Sequence, residues 1–375
     1  MSNPFKFGSI VSGEYFYNRE EELLRIKQTL SGGNNITLYA PRRYGKTSLV
    51  KKALNDLEKQ GFITVYLDFM RVFSKETFIE KYSQAIAAKQ SRSLEKAVKS
   101  ISGYITGFVP SVSFDSSGSP SFSISWIKGR DTEKTLSEVI DLPQKLASNK
   151  SKWIIAFDEF QEISKLNGEN FEAMLRSHIQ DHQNVSYVFF GSKTHLLKDM
   201  FNKKNRPFYN SSFVLTIDKI AEEKSVHFLK ERFRSTNIEI DDQTTHYILE
   251  KAENIPYYIQ FLAHEIWQEA IIKGQNKVAY NQIDEAVETI LKLQSDYYWE
   301  LTNRQTSYRK KVLKALCKSS NAIFSYKVTE VYGLGASSST QKALEVLMDE
   351  GIIEKQNNNY FFTDPIYKTF LIRNI

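Results

Sequence analysis

Two kinds of hydrophobic spacing divide the chain. Up to residue 217, short apolar runs alternate with segments whose apolar residues recur every three or four positions; from Asp218 the short runs stop. Residues 14–30, EYFYNREEELLRIKQTL, predict a turn and an amphipathic helix, with Asn18 as N-cap and Glu20, Glu21 and Glu22 favouring the dipole in the first turn. SGGNN (31–35) breaks the chain before the apolar run Ile36, Leu38, Tyr39. SLVKKALNDLEKQG then reads as a helix ended by Gly61, and FITVYLDF (62–69) as a second strand. Residues 75–100 read as helix, with Phe78, Tyr82 and Ile86 at four-residue spacing, and so do residues 131–148. SKWIIAFDEFQEI (151–163) is apolar on both faces, as a strand buried on both sides of a parallel sheet must be. A helix over 170–182, a similar strand ending at Gly191, a basic loop (201–210) and a fifth strand, SSFVLTI (211–217), complete the alternation. Strands alternating with helices predict a doubly wound α/β domain.

Three segments depart from that alternation. In residues 107–127, Val112, Phe114, Phe122, Ile124 and Trp126 alternate with serines on both sides of DSSGSPS, which predicts a β-hairpin inserted in the α/β domain. Two readings stay open for it: a protrusion that contacts a partner, or a ribbon lying on the domain. Residues 219–234, 242–253, 256–273 and 280–300 carry helical periodicity and predict an all-helical domain. Beyond them come SYRKKVLKALCK, YKVTEVYG and ASSSTQKALEVLMDEG, and then IIEKQNNNYFFTD as two strands around 357–359. Three helices and a wing make a winged helix-turn-helix. The expected division is residues 1–217 (α/β, with the 107–127 insertion), 218–303 (helical lid) and 304–375 (winged helix).

Bulk composition narrows the class. A length of 375 residues allows two or three domains with a sizeable core, and 41% hydrophobic with 25% charged residues is ordinary for a globular protein. A net charge of +6 permits nucleic acid as a partner without requiring it. The single cysteine, Cys317, excludes an internal disulfide and fits a reducing compartment. The first residues, MSNPFKFGSIVSGEYF, have neither the apolar core of a signal peptide nor the arginine-rich helix of a transit peptide, and no apolar run reaches the roughly 20 residues that span a bilayer. A cytoplasmic location without a membrane is expected.

The chemistry starts at residues 36–50, ITLYAPRRYGKTSLV. A strand, a loop, Gly45-Lys46-Thr47 and a helix follow in the order a phosphate-binding loop needs. The amides of Arg42, Arg43, Tyr44, Gly45, Lys46, Thr47 and Ser48 can then face an anion, Lys46 adds a point charge, and the Thr47 hydroxyl can ligate Mg²⁺. The first glycine of GxxxxGK[ST] is Ala40 here. Asp158 and Glu159 end a buried strand; adjacent acids there are costly unless used. Asp158 is placed to hold Mg²⁺ with Thr47, and Glu159 to take a proton from an attacking water. GSKTH (191–195) ends the next strand; if that strand neighbours the first, Ser192 lies beside the γ-phosphate, with Lys193 the weaker choice.

These residues resemble the prokaryotic AAA-like ATPases of the STAND class, in particular the archaeal-type ATPase family. The resemblance runs over essentially the whole chain: FYNREEEL, APRRYGKTSL, DEFQ, GSKTH, RPFY, NIP (254–256) and DPIYKTFL (364–371), in that order. It implies a P-loop ATPase with a helical lid and a C-terminal winged helix, using ATP/ADP and Mg²⁺. It also implies that Tyr17, Asn18, Arg19 and Pro256 flank the adenine. Arg206, in the loop after the fourth strand, would sense the γ-phosphate in cis or across a subunit interface. Three family glycines are replaced, by Ala40, Asn18 and Asn254; asparagine enters the left-handed region most readily after glycine, so the replacements bear on the rate of hydrolysis more than on binding.

Other signals carry less. His178 and His182 lie four apart, but no third metal ligand is spaced to join them, so they read as a solvated helix face. Cys317 reads as a buried, inert thiol, and Tyr297, Tyr298 and Trp299 as packing. Ala336, Ser337, Ser338, Ser339, Thr340, Gln341 and Lys342 open the helix that would enter a DNA groove, yet no arginine stands there. The expected function is an ATP-dependent switch whose nucleotide state moves the lid and winged helix and alters self-association or protein binding. The alternative is a regulator that binds duplex DNA through the winged helix and whose ATPase is vestigial.

Overall fold

The computed structural model describes residues 2–90, 101, 103–105, 108–114, 120–126, 131–166, 169–319, 322–356 and 359–375. They form two compact units: Glu20–Ala40 with Leu49–Ile217, and Met1–Arg19 with Pro41–Ser48 and Asp218–Ile375.

The first unit is built on five parallel strands, β1 (Ile36–Tyr39), β2 (Ile63–Asp68), β5 (Trp153–Asp158), β6 (Val185–Phe190) and β7 (Phe213–Thr216), in the order β2-β5-β6-β1-β7. Every residue of β1, β5 and β6 is buried, which is why these runs are apolar on both faces. β7 is the edge strand and is mostly exposed. The sheet is the parallel, helix-flanked α/β sheet that the alternation predicted. An aromatic cluster fixes the ends of its central strands. Phe160, just past β5, packs on Phe189 of β6 at 4.7 Å and on Phe208 at 5.2 Å, and Phe208 packs on Phe201 at 5.3 Å. The Phe of RPFY is therefore a core residue. Each such ring contributes a few kcal/mol, about 1.5–3, by burial.

Several predicted elements shift. The helix expected over 131–148 is two helices, Thr132–Ile140 and Leu142–Leu146, because Pro143 has no N–H to continue the first. The helix expected from residue 75 is described as Lys75–Gln90, and its continuation lies outside the described residues. The hairpin is present as β3 (Phe108–Phe114) paired antiparallel with β4 (Pro120–Trp126), Val112 facing Phe122. Its tip (115–119) and residues 107 and 127 lie outside the described residues. β4 runs beside the helix Lys75–Gln90, which favours the ribbon over the protrusion. Asn18 does not cap the first helix: that helix starts at Glu20, so the cap position is Arg19. His178 and His182 are not a solvated face either. Asp141 joins them, its Oδ1 lying 2.7 Å from His178 Nδ1 and 3.1 Å from His182 Nε2, while His182 Nδ1 meets the Tyr187 hydroxyl at 2.7 Å. Burial alone would raise the Asp141 carboxyl, but the two histidines hold it below its usual value. Among the described residues no cluster of such side chains is arranged to hold a metal ion.

In the second unit the helices Glu222–Arg234, Asp242–Lys251, Pro256–Ile272, Asn281–Leu293 and Ser295–Asn303 pack with the N-terminal segment. Phe5 packs on Phe233 at 4.7 Å, and the Arg232 guanidinium donates twice to the Pro4 carbonyl. The winged helix follows: Ser307–Lys318, Tyr326–Val331, Ser337–Asp349, then β8 (Ile353–Gln356) paired antiparallel with β9 (Asn359–Phe362). The wing tip at 357–358 lies outside the described residues. A final helix, Pro365–Asn374, was not anticipated by periodicity; Asp364 caps it through the Ile366 and Tyr367 amides, and Pro365 opens it. Burial pushes the Cys317 thiol up to about 11, which leaves it unreactive near neutrality. Tyr298 is fully buried while Tyr297 is exposed. Among the described residues no helix is long and apolar enough to cross a membrane.

Candidate active site

The α/β unit collects candidate residues at one edge of its sheet. β6 pairs with both β5 and β1, all parallel, so the chain leaves neighbouring strands at Asp158, at Gly191 and at Ala40. The condition set by the sequence, that the strand before Ser192 neighbours the first strand, is met. β1 in turn pairs with β7, so the strand order reverses around β1. In open parallel sheets ligands bind outside the carboxyl ends of the strands at such a reversal. The Thr194 hydroxyl donates to the Ala40 carbonyl at 3.1 Å and ties the β6 turn to the end of β1.

The acid pair is held in place. Asp158 is buried; its Oδ2 accepts the Tyr66 hydroxyl at 2.5 Å and its Oδ1 accepts the Glu159 amide at 2.8 Å. Burial raises the Tyr66 phenol far above its usual value, and the Asp158 charge adds to this, so Tyr66 stays a donor. Glu159 sits in the left-handed region, φ 51°. That turn aims its carboxylate at β6: Oε2 accepts the Ser192 amide at 3.1 Å, the Ser192 hydroxyl at 2.8 Å and the Gln161 side-chain amide at 2.6 Å. Gly191 makes room for this, since a Cβ there would stand 1.9 Å from Gln161 Oε1 and 3.1 Å from Glu159 Cα. Gln161 and Tyr66 carry no role from the sequence alone; one lies in the DEFQ string and the other in no motif.

Arg206, also in the α/β unit, forms a forked ion pair with the fully buried Glu172, Nε to Oε1 at 3.3 Å and Nη2 to Oε2. The residue expected to sense phosphate is thus engaged by a carboxylate of its own domain.

The loop 41–48 belongs to the second unit. Its left-handed residues are Arg43 (φ 69°) and Gly45 (φ 83°), while Ala40 has no positive φ. The replaced first glycine is therefore not the position that needs one. Lys46 is buried, and its Nζ donates to the Pro41 carbonyl at 2.8 Å, across the loop. The Ser48 hydroxyl accepts the Val11 amide at 3.0 Å, so it anchors the N-terminal segment. Tyr44 is buried and its phenol is raised by burial first, then by Glu354, Glu253 and Asp218.

The residues expected around a base lie in the same unit. Tyr17 stacks on Phe228, centroids 3.8 Å apart and rings 9° from parallel. Asn18 (φ 45°) and Asn254 (φ 52°) both occupy the left-handed region their replaced glycines would take. Arg19 is buried and donates to the Asp218 carbonyl at 2.7 Å. The Asn254 side chain donates to the Ile220 carbonyl at 2.9 Å, and Pro256 is the first residue of its helix. The structure thus brings together Tyr17, Asn18, Arg19, the loop and Pro256 in one unit, and Asp158, Glu159, Ser192 and Arg206 in the other.

A formed loop with Gly45 left-handed and Lys46 turned inward fits a nucleotide phosphate; in the other unit, the buried Asp158 carboxylate is a hard-oxygen donor of the kind that suits Mg²⁺.

On the winged helix, Ser337, Ser338 and Ser339 are exposed, but Thr340 is buried and bonds the Tyr308 hydroxyl at 2.8 Å. The Gln341 amide donates to Glu345 at 3.1 Å.

Comparison with known proteins agrees with this geometry. No curated protein is significantly similar in sequence. Among solved structures, the Walker-type ATPase PABY2304 of Pyrococcus abyssi superposes with a TM-score of 0.67 at 19% identity, covering 98% of this chain and 99% of that one. The Aeropyrum pernix ORC2 protein, solved as ADPNP–ADP complexes, matches at TM-score 0.54 and 14% identity over 98% of both chains. The A. pernix ORC1 protein, solved in complex with DNA, matches at 0.52 and 15% over 96% of this chain and 94% of that one. At these identities the likeness is one of fold. A model of a probable winged helix domain matches residues 296–373. The model of an ATPase domain predominantly from Archaea matches residues 16–262, and the chain belongs to that family.

Proposed function

We propose that this chain is an ATP-binding and ATP-hydrolysing molecular switch of the AAA/STAND type. In this reading nucleotide state controls the lid (218–303) and winged helix (304–375), and through them self-association or the binding of a protein partner. The observation that carries the reading is the sheet edge, where Asp158-Glu159, Gly191-Ser192 and the start of the phosphate loop leave neighbouring parallel strands. Lys46 and the loop amides from Arg43 to Ser48 hold the β- and γ-phosphates, the Arg42 amide being taken by Glu354. Tyr17, Asn18, Arg19 and Pro256 border the base. Mg²⁺, held by Thr47 and Asp158, would neutralise charge on the phosphate oxygens. Glu159 takes the proton of the attacking water, and Ser192 and Gln161 set the direction of its carboxylate. Arg206 is the candidate for sensing phosphate, a role that requires it to give up its Glu172 contact. A soluble cytoplasmic site of action is part of this proposal.

Two variants test it. Glu159→Gln keeps ATP affinity and loses turnover by roughly 10²–10⁴-fold, the range for a general base. Lys46→Ala weakens binding itself. Equal phosphate release by the parent and Glu159→Gln proteins rejects the mechanism. The DNA-binding alternative has one support, the exposed serines 337–339. Duplex affinity that falls steeply with salt would favour it, and no binding at low salt disposes of it.

A further inference from the structure

The phosphate loop is gripped from far along the chain, within its own compact unit. Glu354, on β8 of the winged helix, is buried, and its Oε1 accepts the Arg42 amide at 2.9 Å. The Arg42 side chain lies against Gly351, where an added Cβ would stand 2.9 Å from a guanidinium nitrogen. Arg43 Nη1 meets Asp364 Oδ2 at 3.1 Å. The same guanidinium lies over the rings of Tyr257 and Tyr258, 4.9 and 4.7 Å from their centroids, and the Tyr257 amide donates to the Arg43 carbonyl at 3.4 Å. Asp364 is itself fixed, its Oδ1 by the Ile366 and Tyr367 amides and its Oδ2 by the Tyr298 hydroxyl at 3.3 Å.

This grip has a purpose in the physics of the loop. A phosphate loop works by pointing its amides before the anion arrives, so that ordering is not charged against binding. In this sequence the loop holds arginine, not glycine, at its φ 69° position, and an L-residue there is strained. The Glu354 carboxylate on the preceding amide, with the Asp364 ion pair and two aromatic faces on the side chain, offsets that strain and fixes the peptide between Arg42 and Arg43.

We propose that Glu354 and Asp364 are positioning residues for nucleotide binding, acting through the Arg42 amide and the Arg43 guanidinium. The winged helix is then part of the binding apparatus as well as the element that responds to it. The inference rests on the ATP reading above and adds to it residues that no phosphate-loop motif contains.

The test uses the full chain, labelled ADP for affinity and ATP for steady-state kinetics. Glu354→Ala is expected to weaken ADP binding and raise KM by about five- to tenfold, with kcat within about twofold of the parent. Glu354→Gln, which keeps an acceptor for the Arg42 amide, recovers most of the loss; general destabilisation would not produce that KM-only pattern or its rescue. Should Glu354→Ala fail to fold, Asp364→Asn carries the test, since it keeps the helix cap and removes the charge facing Arg43; it is expected to weaken ADP binding several-fold. ADP affinity in Glu354→Ala or Asp364→Asn within about twofold of the parent overturns the inference, and so does tighter binding, which would mark the grip as a restraint. If Lys46→Ala weakens binding in either case, the ATP reading stands. A parent chain that binds no ADP overturns both.

Discussion

The acid turn after β5 and the phosphate loop after β1 solve the same problem by different routes. Each follows a buried parallel strand, and each holds one residue other than glycine in the left-handed region, Glu159 at φ 51° and Arg43 at φ 69°. Such a residue costs roughly 1 kcal/mol or more. In the acid turn the cost is met at close quarters, by Gln161 two residues on and by Ser192 in the turn after the adjoining strand. In the loop it is met by Tyr257, Tyr258 and Asp364, more than two hundred residues later in the chain. One arrangement is complete within a single sheet. The other exists only when the elements proposed to switch, the helix Pro256–Ile272 and the winged-helix region, are folded against the loop.

The largest expected effect separates a load-carrying ion pair from a positioning one. Arg206 and Glu172 form the close-quarters kind, with Glu172 fully buried and Arg206 mostly so. Replacing Arg206 by alanine removes the guanidinium from a buried carboxylate and should cost about 3–5 kcal/mol in urea unfolding. Replacing Glu172 by glutamine in the same protein should return part of it. A loss below about 1 kcal/mol would show that the pair is dispensable to the fold and would free Arg206 for the sensing role the sequence implied. Lost activity in Arg206→Ala is therefore not evidence for sensing until stability has been measured.

Next in size is a change confined to the acid turn. Gly191→Ala puts a methyl group where Gln161 now approaches Glu159. The glutamine must swing away, Glu159 loses one of its donors, and turnover should fall roughly tenfold with ATP affinity kept. If turnover is unchanged, the direction of the Glu159 carboxylate does not limit the rate, and the two regions differ less than the structure suggests.

The same contrast explains what the sequence disclosed. The α/β architecture was legible because β5 and β6 are buried on both faces and so must be apolar throughout. That Asp158, Glu159 and Ser192 come together was legible because they end neighbouring buried strands, and the Glu159 carboxylate does meet Ser192. The Arg43 grip was not, because Tyr257, Glu354 and Asp364 reach the loop by the fold of the chain and no spacing records that. Asp141 escaped for the same reason: it meets His178 and His182 across 37 and 41 residues, with no metal-ligand interval to announce it. Ala40 departs from the motif in its letter, but its backbone is not left-handed and so needs no glycine there.

The smallest effect is also the most discriminating, since it sets stability against affinity. Burial pushes the Asp364 carboxyl above its ordinary value of 3.8, against the pull of Arg43 and of the Tyr367 and Ile366 amides. A raised folded-state value means that the folded chain favours the protonated form. The contribution to stability is then fullest below the unfolded value and declines as pH rises through the folded one. Asp364→Asn keeps the cap through its side-chain oxygen and has no such titration. Unfolding free energies of parent and variant, measured from pH 3.5 to 7, should therefore diverge in favour of the variant as pH rises. At neutral pH Asp364→Asn should be no less stable than the parent while binding ADP more weakly. A variant that loses stability and affinity together would mean that Asp364 holds the fold, and the loop only as a consequence.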